Sequence, residues 1–491
     1  MSAAATRPAP RWWLVLLGLV LAYLLALRLW FDLAVPPMGD EAYYWMWGQH
    51  LSWSYFDHPP LDGWLQGLVA ALFGWSNFSV RLLTWLSLAG TLAVLWLWSK
   101  LLAPDDRLGW LVQTAVLYFT VPIIFMMSAF AYHDHLLIFF VVATTYAFHS
   151  FARDWEAGIR AWRNLFLAAA LLGLAVLTKY NGVFLGVGLA AWIVWRPKLR
   201  GLYLTPQLWL AVLLAVLMQA PVFYWNLTEG WASLRYHFTE RDHLNWGTPS
   251  LRQVVDFLGA MVASMSPVLF LALFRLPFLR RRSDDDARSL SLAGIVYLLS
   301  TLAWAIIALY VYIYVHWNIV AYAVLAPVVL RLVSSRLAML LHIAFGLVII
   351  TVGLLNYTVG PMKLLGFGDT GAAASFGWPE LAAEIVVQHK AHPDAFLAAA
   401  RYTHAAQLGF QLHDADIAAL NHLPSQADFW WDAAAHAGRD ALIVADAGAG
   451  STIAEAAPHF AGVEKLEDVP VVVRGQTVWT FEIWLGRDFK P

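Results

Sequence analysis

The sequence predicts a polytopic all-α membrane domain of about eleven transmembrane helices, followed by a small α/β extracytoplasmic C-terminal domain. Three observations predict it. Hydrophobic residues fill 60% of the 491 positions and charged residues only 13%, about half the charged share of an ordinary soluble domain. Apolar runs near 20 residues recur down the first three quarters of the chain, several of them short for a hydrocarbon core of ~30 Å. From about residue 358 these runs shrink to strand length, while Gly, Asp, His and Ala rise.

The apolar segments, in order, are 12–33, 82–101, 109–127, 136–151, 164–178, 181–195, 207–225, 256–274, 291–313, 318–333 and 338–356. The first follows Arg7 and Arg11 as a signal peptide would, but it lacks a small-residue cleavage site and ends in Trp30, Phe31 and two prolines, so it reads as a retained helix. Lys and Arg cluster on every second connection: Arg7 and Arg11; Lys100 and Arg107; Arg153, Arg160 and Arg163; Arg196, Lys198 and Arg200; five arginines from Arg275 to Arg288; Arg331 and Arg336. The opposite connections and their flanks hold only Arg28, Arg81, Lys179, Arg235, Arg241 and Arg252. The positive-inside rule makes the first set cytoplasmic. The expected protein is therefore multi-pass in the bacterial inner membrane, with its N-terminus inside and its C-terminal domain in the periplasm.

A transmembrane catalytic domain over 1–357 and a periplasmic α/β domain over 358–491 follow from this layout, with outer loops at 34–80 and 226–255. In the tail, Asp440 to Asp446 reads as a buried strand, and Val469 to Trp484 as a hairpin around Arg474-Gly475-Gln476. Pro379 to His389 and Asp394 to Leu412 read as helices.

The net charge of −2 offers no basic surface for nucleic acid. With no Cys, disulfides, thiolate catalysis and Cys-ligated zinc are excluded. No Gly-x-Ser-x-Gly elbow, P-loop or dinucleotide fingerprint is present.

Four constellations could carry chemistry. The densest is Asp40-Glu41-Ala42-Tyr43-Tyr44-Trp45 with Tyr55-Phe56-Asp57-His58-Pro59-Pro60, in a first loop that lacks any Lys or Arg. A helix is expected to start near Gly39, with Tyr43, Tyr44, Trp45 and Trp47 as interfacial anchors. The acids there could cap exposed N–H groups, take a proton from an incoming hydroxyl, or hold a metal. The second is Tyr132-His133-Asp134-His135, between the third and fourth spans. Asp134 is read as a second acid; His133, His135 and His58 are candidate metal ligands, and polar residues at a wet helix end are the bland alternative.

The third is Thr178-Lys179-Tyr180-Asn181. Leu165 to Thr178 is 14 residues, ~21 Å of helix, so Lys179 should sit at or just below the outer headgroup level. It either snorkels to the surface or meets an anion, as a lysine clamping phosphate does. The fourth is the 226–255 loop, where Arg235 or Arg241 could contact an anionic headgroup. All these groups lie at outer ends of spans, whereas ion-coupled transporters place theirs near the midplane. The chain reads as an enzyme acting at the outer headgroup layer.

The first-loop residues resemble the first outer loop of bacterial membrane glycosyltransferases of the C superfamily, in the branch of protein O-mannosyltransferases and the lipid A aminoarabinose transferase. Weaker similarities are Asp134-His135-Leu136-Leu137, Thr178-Lys179-Tyr180, Pro221 to Asn226, Ser266-Pro267, Trp317-Asn318, Ala400-Arg401-Tyr402 and Gln426 to Trp430. The resemblance implies transfer of a sugar from a polyprenyl phosphate to lipid A, a polysaccharide or a protein on the outer face, with Asp40 as base and Asp134 as the second outer acid. His133, His135 and Ala400 depart from the family pattern.

The expected reaction is an inverting displacement. Asp40, helped by Asp134 or Glu41, deprotonates the acceptor. Lys179, with Arg235, Arg241 or a divalent ion, compensates the leaving phosphate. Tyr43, Tyr55, Asp57, His58 and Tyr180 complete the expected substrate contacts. No cofactor is assigned, and a divalent metal ion is left open. The partners are lipid donor, acceptor and bilayer, and no nucleic acid. A transporter or flippase of lipid-linked sugars is the rival reading.

Overall fold

The computed structural model describes residues 9–237, 248–367, 371–421, 424–448 and 451–491. The chain forms two compact units. One comprises Met1–Leu27, His58–Leu61 and Leu83–Thr351; the other comprises Arg28–Asp57, Asp62–Leu82 and Val352–Pro491.

Five single helices are long and apolar enough to cross a membrane: Arg11–Ala34, Asn77–Leu102, Asp134–Glu156, Asp284–Ile307 and Arg336–Thr358. Five more candidates are bent pairs, such as Arg107–Phe119 with Pro122–Ala129 at 86° and Leu251–Met265 with Pro267–Leu273 at 113°. In every pair the second helix carries Pro in its first two positions. Proline has no N–H to donate to the preceding turn and its ring clashes with it, so the chain breaks there and restarts. That gives up to ten spans, and the remaining expected segment is the 17-residue helix Trp162–Thr178. A count of eleven thus requires that every bent pair is a single span and that this short helix also crosses.

Asp134–Glu156 is the most enclosed of these helices, with 89% of its apolar window buried. Ion pairs hold its far end: Glu156 receives Arg196 at 2.7 Å and Arg288 at 2.9 Å. A second polar pin lies within the helical unit, where buried His342 bonds Ser266 Oγ at 2.6 Å and the Leu117 carbonyl at 2.9 Å.

The other unit is built on a five-stranded sheet in the order β2-β1-β3-β5-β4, with β1 Phe396–Ala399, β2 Ala418–Ala419, β3 Ala441–Asp446, β4 Phe460–Val473 and β5 Gln476–Phe489. Strands β2, β1 and β3 run parallel, and the β4–β5 hairpin adds antiparallel. Every residue of β3 is buried, as an apolar strand covered on both faces should be. The hairpin turns on Arg474 and Gly475, both at positive φ (52° and 76°), the conformation a tight two-residue turn requires. One expectation fails here. Asp394 to Leu412 is not one helix but β1 followed by helix Tyr402–Leu412. Buried Phe396 pairs with β3, and buried Ala398 and Ala399 pair with both β2 and β3; that pairing outweighs the helix propensity of the alanines.

The first-loop segments, His58–Leu61 excepted, fold into this same unit. Helix Gly39–Gln49 packs on helix Tyr402–Leu412, with Trp45 edge-on to Phe410 at 6.1 Å and Tyr43 against Tyr402 at 4.5 Å. Gly48 lies so close to the Gly67 backbone that any Cβ there would collide with it. The expected interfacial anchors are therefore a correction: Tyr43, Trp45 and Trp47 are buried, because the helix is covered by protein.

Candidate active site

The approach to Asp40 is set by backbone. Pro36 and Pro37 follow the helix Arg11–Ala34, and Gly39 opens the next helix with Met38 as its cap. Asp40 stands in the first turn and is partly exposed. Glu41 beside it is not. Its carboxylate takes the Met38 N–H at 3.0 Å and a two-pronged grip from Arg81, with Nε at 2.9 Å. The same guanidinium reaches the Val35 carbonyl at 2.7 Å and covers the ring of Phe31 at 4.4 Å. Glu41 and Arg81 both have no exposed surface. Arg81 thus ties the end of one helix to the start of the next, which fixes where Asp40 stands. Glu41, expected to assist catalysis, is instead a structural anchor with its oxygens already committed.

Two further expectations change in this unit. Tyr55 is fully buried; its hydroxyl donates to the Trp47 carbonyl at 2.8 Å and its ring stacks on Trp47. Its hydroxyl and ring are thus both taken up by the loop itself. Tyr43 is likewise buried, and donates to Asp57 Oδ2 at 2.6 Å. Burial first, then the Asp57 charge, pushes its phenol well above the ordinary value, so it stays a donor. Asp57 is partly exposed.

The helical unit brings together a second group. Asp134 begins helix Asp134–Glu156, and Lys179 ends helix Trp162–Thr178. Lys179 Nζ lies 2.9 and 2.8 Å from the two Asp134 oxygens, and both side chains are buried. Lys179 therefore meets an anion and does not snorkel. His58 packs on His133 at 4.5 Å and on His237 at 6.2 Å. Tyr180 lies edge-on to His237 at 5.2 Å and bonds Ser233 at 3.0 Å. His135 Nδ1 lies 3.0 Å from Ser87 Oγ, whose own hydrogen goes to the Thr84 carbonyl. A hydroxyl that has spent its hydrogen can only accept, so His135 carries its proton on Nδ1 and offers Nε2 as an acceptor.

The metal reading loses support. Among the described residues no three His, Asp or Glu side chains are arranged to hold an ion; Asp134 is given to Lys179, and His135 turns to Ser87. Arg235 is exposed, and Arg241 lies outside the described residues. Sequence reasoning missed Arg81, Ser87 and Gln426 as site-building residues. A lone arginine at the head of an apolar span opposite an acid pair was the available signal for the first.

Comparison with known proteins agrees with the first-loop resemblance. Residues 57–225 match the family model described as dolichyl-phosphate-mannose-protein mannosyltransferase. The lipid A galacturonosyltransferase RgtD of Rhizobium johnstonii is 29% identical over 317 residues, which are 63% of this chain and 62% of that protein's length. The crystal structure of ArnT from Cupriavidus metallidurans in the apo state superposes with a TM-score of 0.61 at 16% identity, covering 96% of this chain and 97% of that one. The same enzyme bound to undecaprenyl phosphate gives 0.60 at 17%, covering 97% and 98%. The fold is that of these ArnT structures, and parts of the sequence are similar to the mannosyltransferase family model and to RgtD.

Proposed function

We propose that this protein transfers a glycosyl group from a polyprenyl-phosphate sugar to an acceptor on the outer face of the bacterial inner membrane. The supporting observation is the buried Asp134–Lys179 pair at two helix ends. A lysine ammonium is a compact point charge with three donors, and a carboxylate holds it in place until a stronger anion, the donor's phosphate, competes for it. RgtD is named for action on lipid A and ArnT was solved with undecaprenyl phosphate; these favour lipid A as acceptor and an undecaprenyl-type donor.

In the reaction, the acceptor oxygen forms a bond to the anomeric carbon as the bond from that carbon to the phosphate oxygen breaks, and the configuration inverts. Asp40 takes the acceptor's proton. Lys179 meets the charge growing on the phosphate, a group that leaves without protonation. Asp134 holds Lys179 and its charge balance. Asp57, His58 and Tyr180 contact substrate. The lysine- and arginine-rich connections face the cytoplasm, and the domain from 358 onward lies in the periplasm.

Titrating purified protein with an undecaprenyl-phosphate sugar tests the phosphate role. Lys179→Ala should raise the donor KM and slow turnover, and unchanged donor kinetics would remove Lys179 from the reaction. Movement of donor across vesicles without release of undecaprenyl phosphate would point to a flippase instead.

A further inference from the structure

The structure also indicates how Asp57 acquires its aim, and the inference rests on the reading of Asp57 as a substrate contact. Gln426 opens the short turn Gln426–Phe429, whose start is fixed by Asp428 Oδ2 accepting the Ser425 N–H at 2.8 Å. Its backbone N–H donates to Tyr43 Oη at 2.7 Å, and its side-chain Oε1 accepts the Phe56 N–H at 2.5 Å. Tyr43 Oη lies 2.6 Å from Asp57 Oδ2. The direction of these bonds is fixed by chemistry. An amide N–H can only donate, so the tyrosine oxygen accepts there, and its single hydrogen goes to the carboxylate. Gln426 thus holds Asp57 twice, through Tyr43 and through the preceding residue's backbone.

The relay is stiff. Gln426 and Tyr43 are 2% and 3% exposed, and the Tyr43 ring is wedged between Tyr402 at 4.5 Å and Trp47 at 5.3 Å. Asp57, at the end of the relay, remains partly exposed. An ionised carboxylate accepts hydrogen bonds and repels phosphate, so its partner is a hydroxyl-bearing group. We propose that Gln426 and Tyr43 are positioning residues that aim the Asp57 carboxylate at hydroxyls of the transferred sugar, so that a residue far along the chain, in the turn before β3, sets sugar binding.

The test is a double-mutant cycle on the full-length protein, using an undecaprenyl-phosphate sugar as donor and lipid A as acceptor. Tyr43→Phe keeps the ring and removes only the hydroxyl. A hydrogen bond to a charged group corresponds to roughly 10- to 100-fold in binding. Tyr43→Phe should raise the donor KM about 10-fold, with kcat changed much less and the melting temperature close to wild type. Asp57→Asn should raise the same KM. In the Asp57→Asn background, Tyr43→Phe should add little further. Gln426→Leu keeps the backbone N–H but loses the Phe56 bond, and should give a smaller rise. Independent, multiplying effects of Tyr43→Phe and Asp57→Asn would overturn the relay. An unchanged donor KM in Asp57→Asn would instead overturn the reading of Asp57 on which it rests.

Discussion

Two buried ion pairs, one in each unit, look alike on paper and differ in what they can do. Arg81 is spent: Glu41 takes two of its prongs, and carbonyls at the end of helix Arg11–Ala34 take more. Its planar fork cannot turn to meet a ligand without breaking the corner it builds. Lys179 has a single carboxylate partner among the described residues, on a flexible stem that can follow a competing anion. A saturated arginine pair is architecture, and a lysine held by one carboxylate is poised for exchange. Burial alone does not separate the two; the number of committed donors does.

The comparison makes ordered predictions. The largest effect should come from Lys179→Met combined with Asp134→Asn. The double change leaves no unpaired buried charge, so the protein should melt near wild type while transfer falls about 10²–10³-fold, the cost of losing one charge-stabilising donor. A double variant that transfers normally would make the lysine pair architecture too. Next is Arg81→Lys, which keeps the charge but loses the fork. The lysine keeps one ion contact with Glu41 but loses the carbonyl contacts of the fork. The melting temperature should therefore drop, with a stability loss below the about 3–5 kcal/mol that removing a buried partner outright costs, and activity should fall with the folded fraction. A smaller effect is expected for Ser87→Ala, which frees the His135 tautomer; transfer should fall a few-fold and its pH profile should shift, with the melting temperature nearly unchanged.

The smallest effect lies in the sheet. Burial holds the Asp446 carboxyl up at about 7 and, ahead of the Arg401 charge, the neighbouring His404 imidazole down at about 3. The raised Asp446 binds more protons folded than unfolded, so its contribution is lost as pH rises from about 4 to 7. The depressed His404 does the reverse, losing stability as pH falls below about 6.5. The slopes oppose each other in wild type. Asp446→Asn should uncover a melting temperature that climbs with pH over about 4 to 6.5, measurable by thermal scans in a buffer series; a flat variant would contradict it.

Hydropathy carried most of the helical architecture, because a span must be apolar over its whole length whatever its neighbours. The breaks were less visible, although each one is marked by a proline. Asp40, Asp134 and Lys179 stood out because ionisable groups are rare in such a chain. At Glu41, Tyr43 and Tyr55 residue type shows capacity for chemistry, whereas partners, such as Arg81 and Gln426 far along the chain, decide how much of that capacity is already used. The strand at Phe396 was hidden likewise, since its alanines read as helix until β2 and β3 pair with them.

The most direct measurement follows both products at once. Purified protein is incubated with an undecaprenyl-phosphate sugar and lipid A, and mass spectrometry counts released undecaprenyl phosphate and glycosylated lipid A. Wild type should yield the two in equal amounts, and Asp40→Asn, folded normally, should yield both about 10²–10⁴-fold more slowly. Full-rate transfer by Asp40→Asn, or no lipid phosphate released by wild type with any sugar donor, would contradict the account.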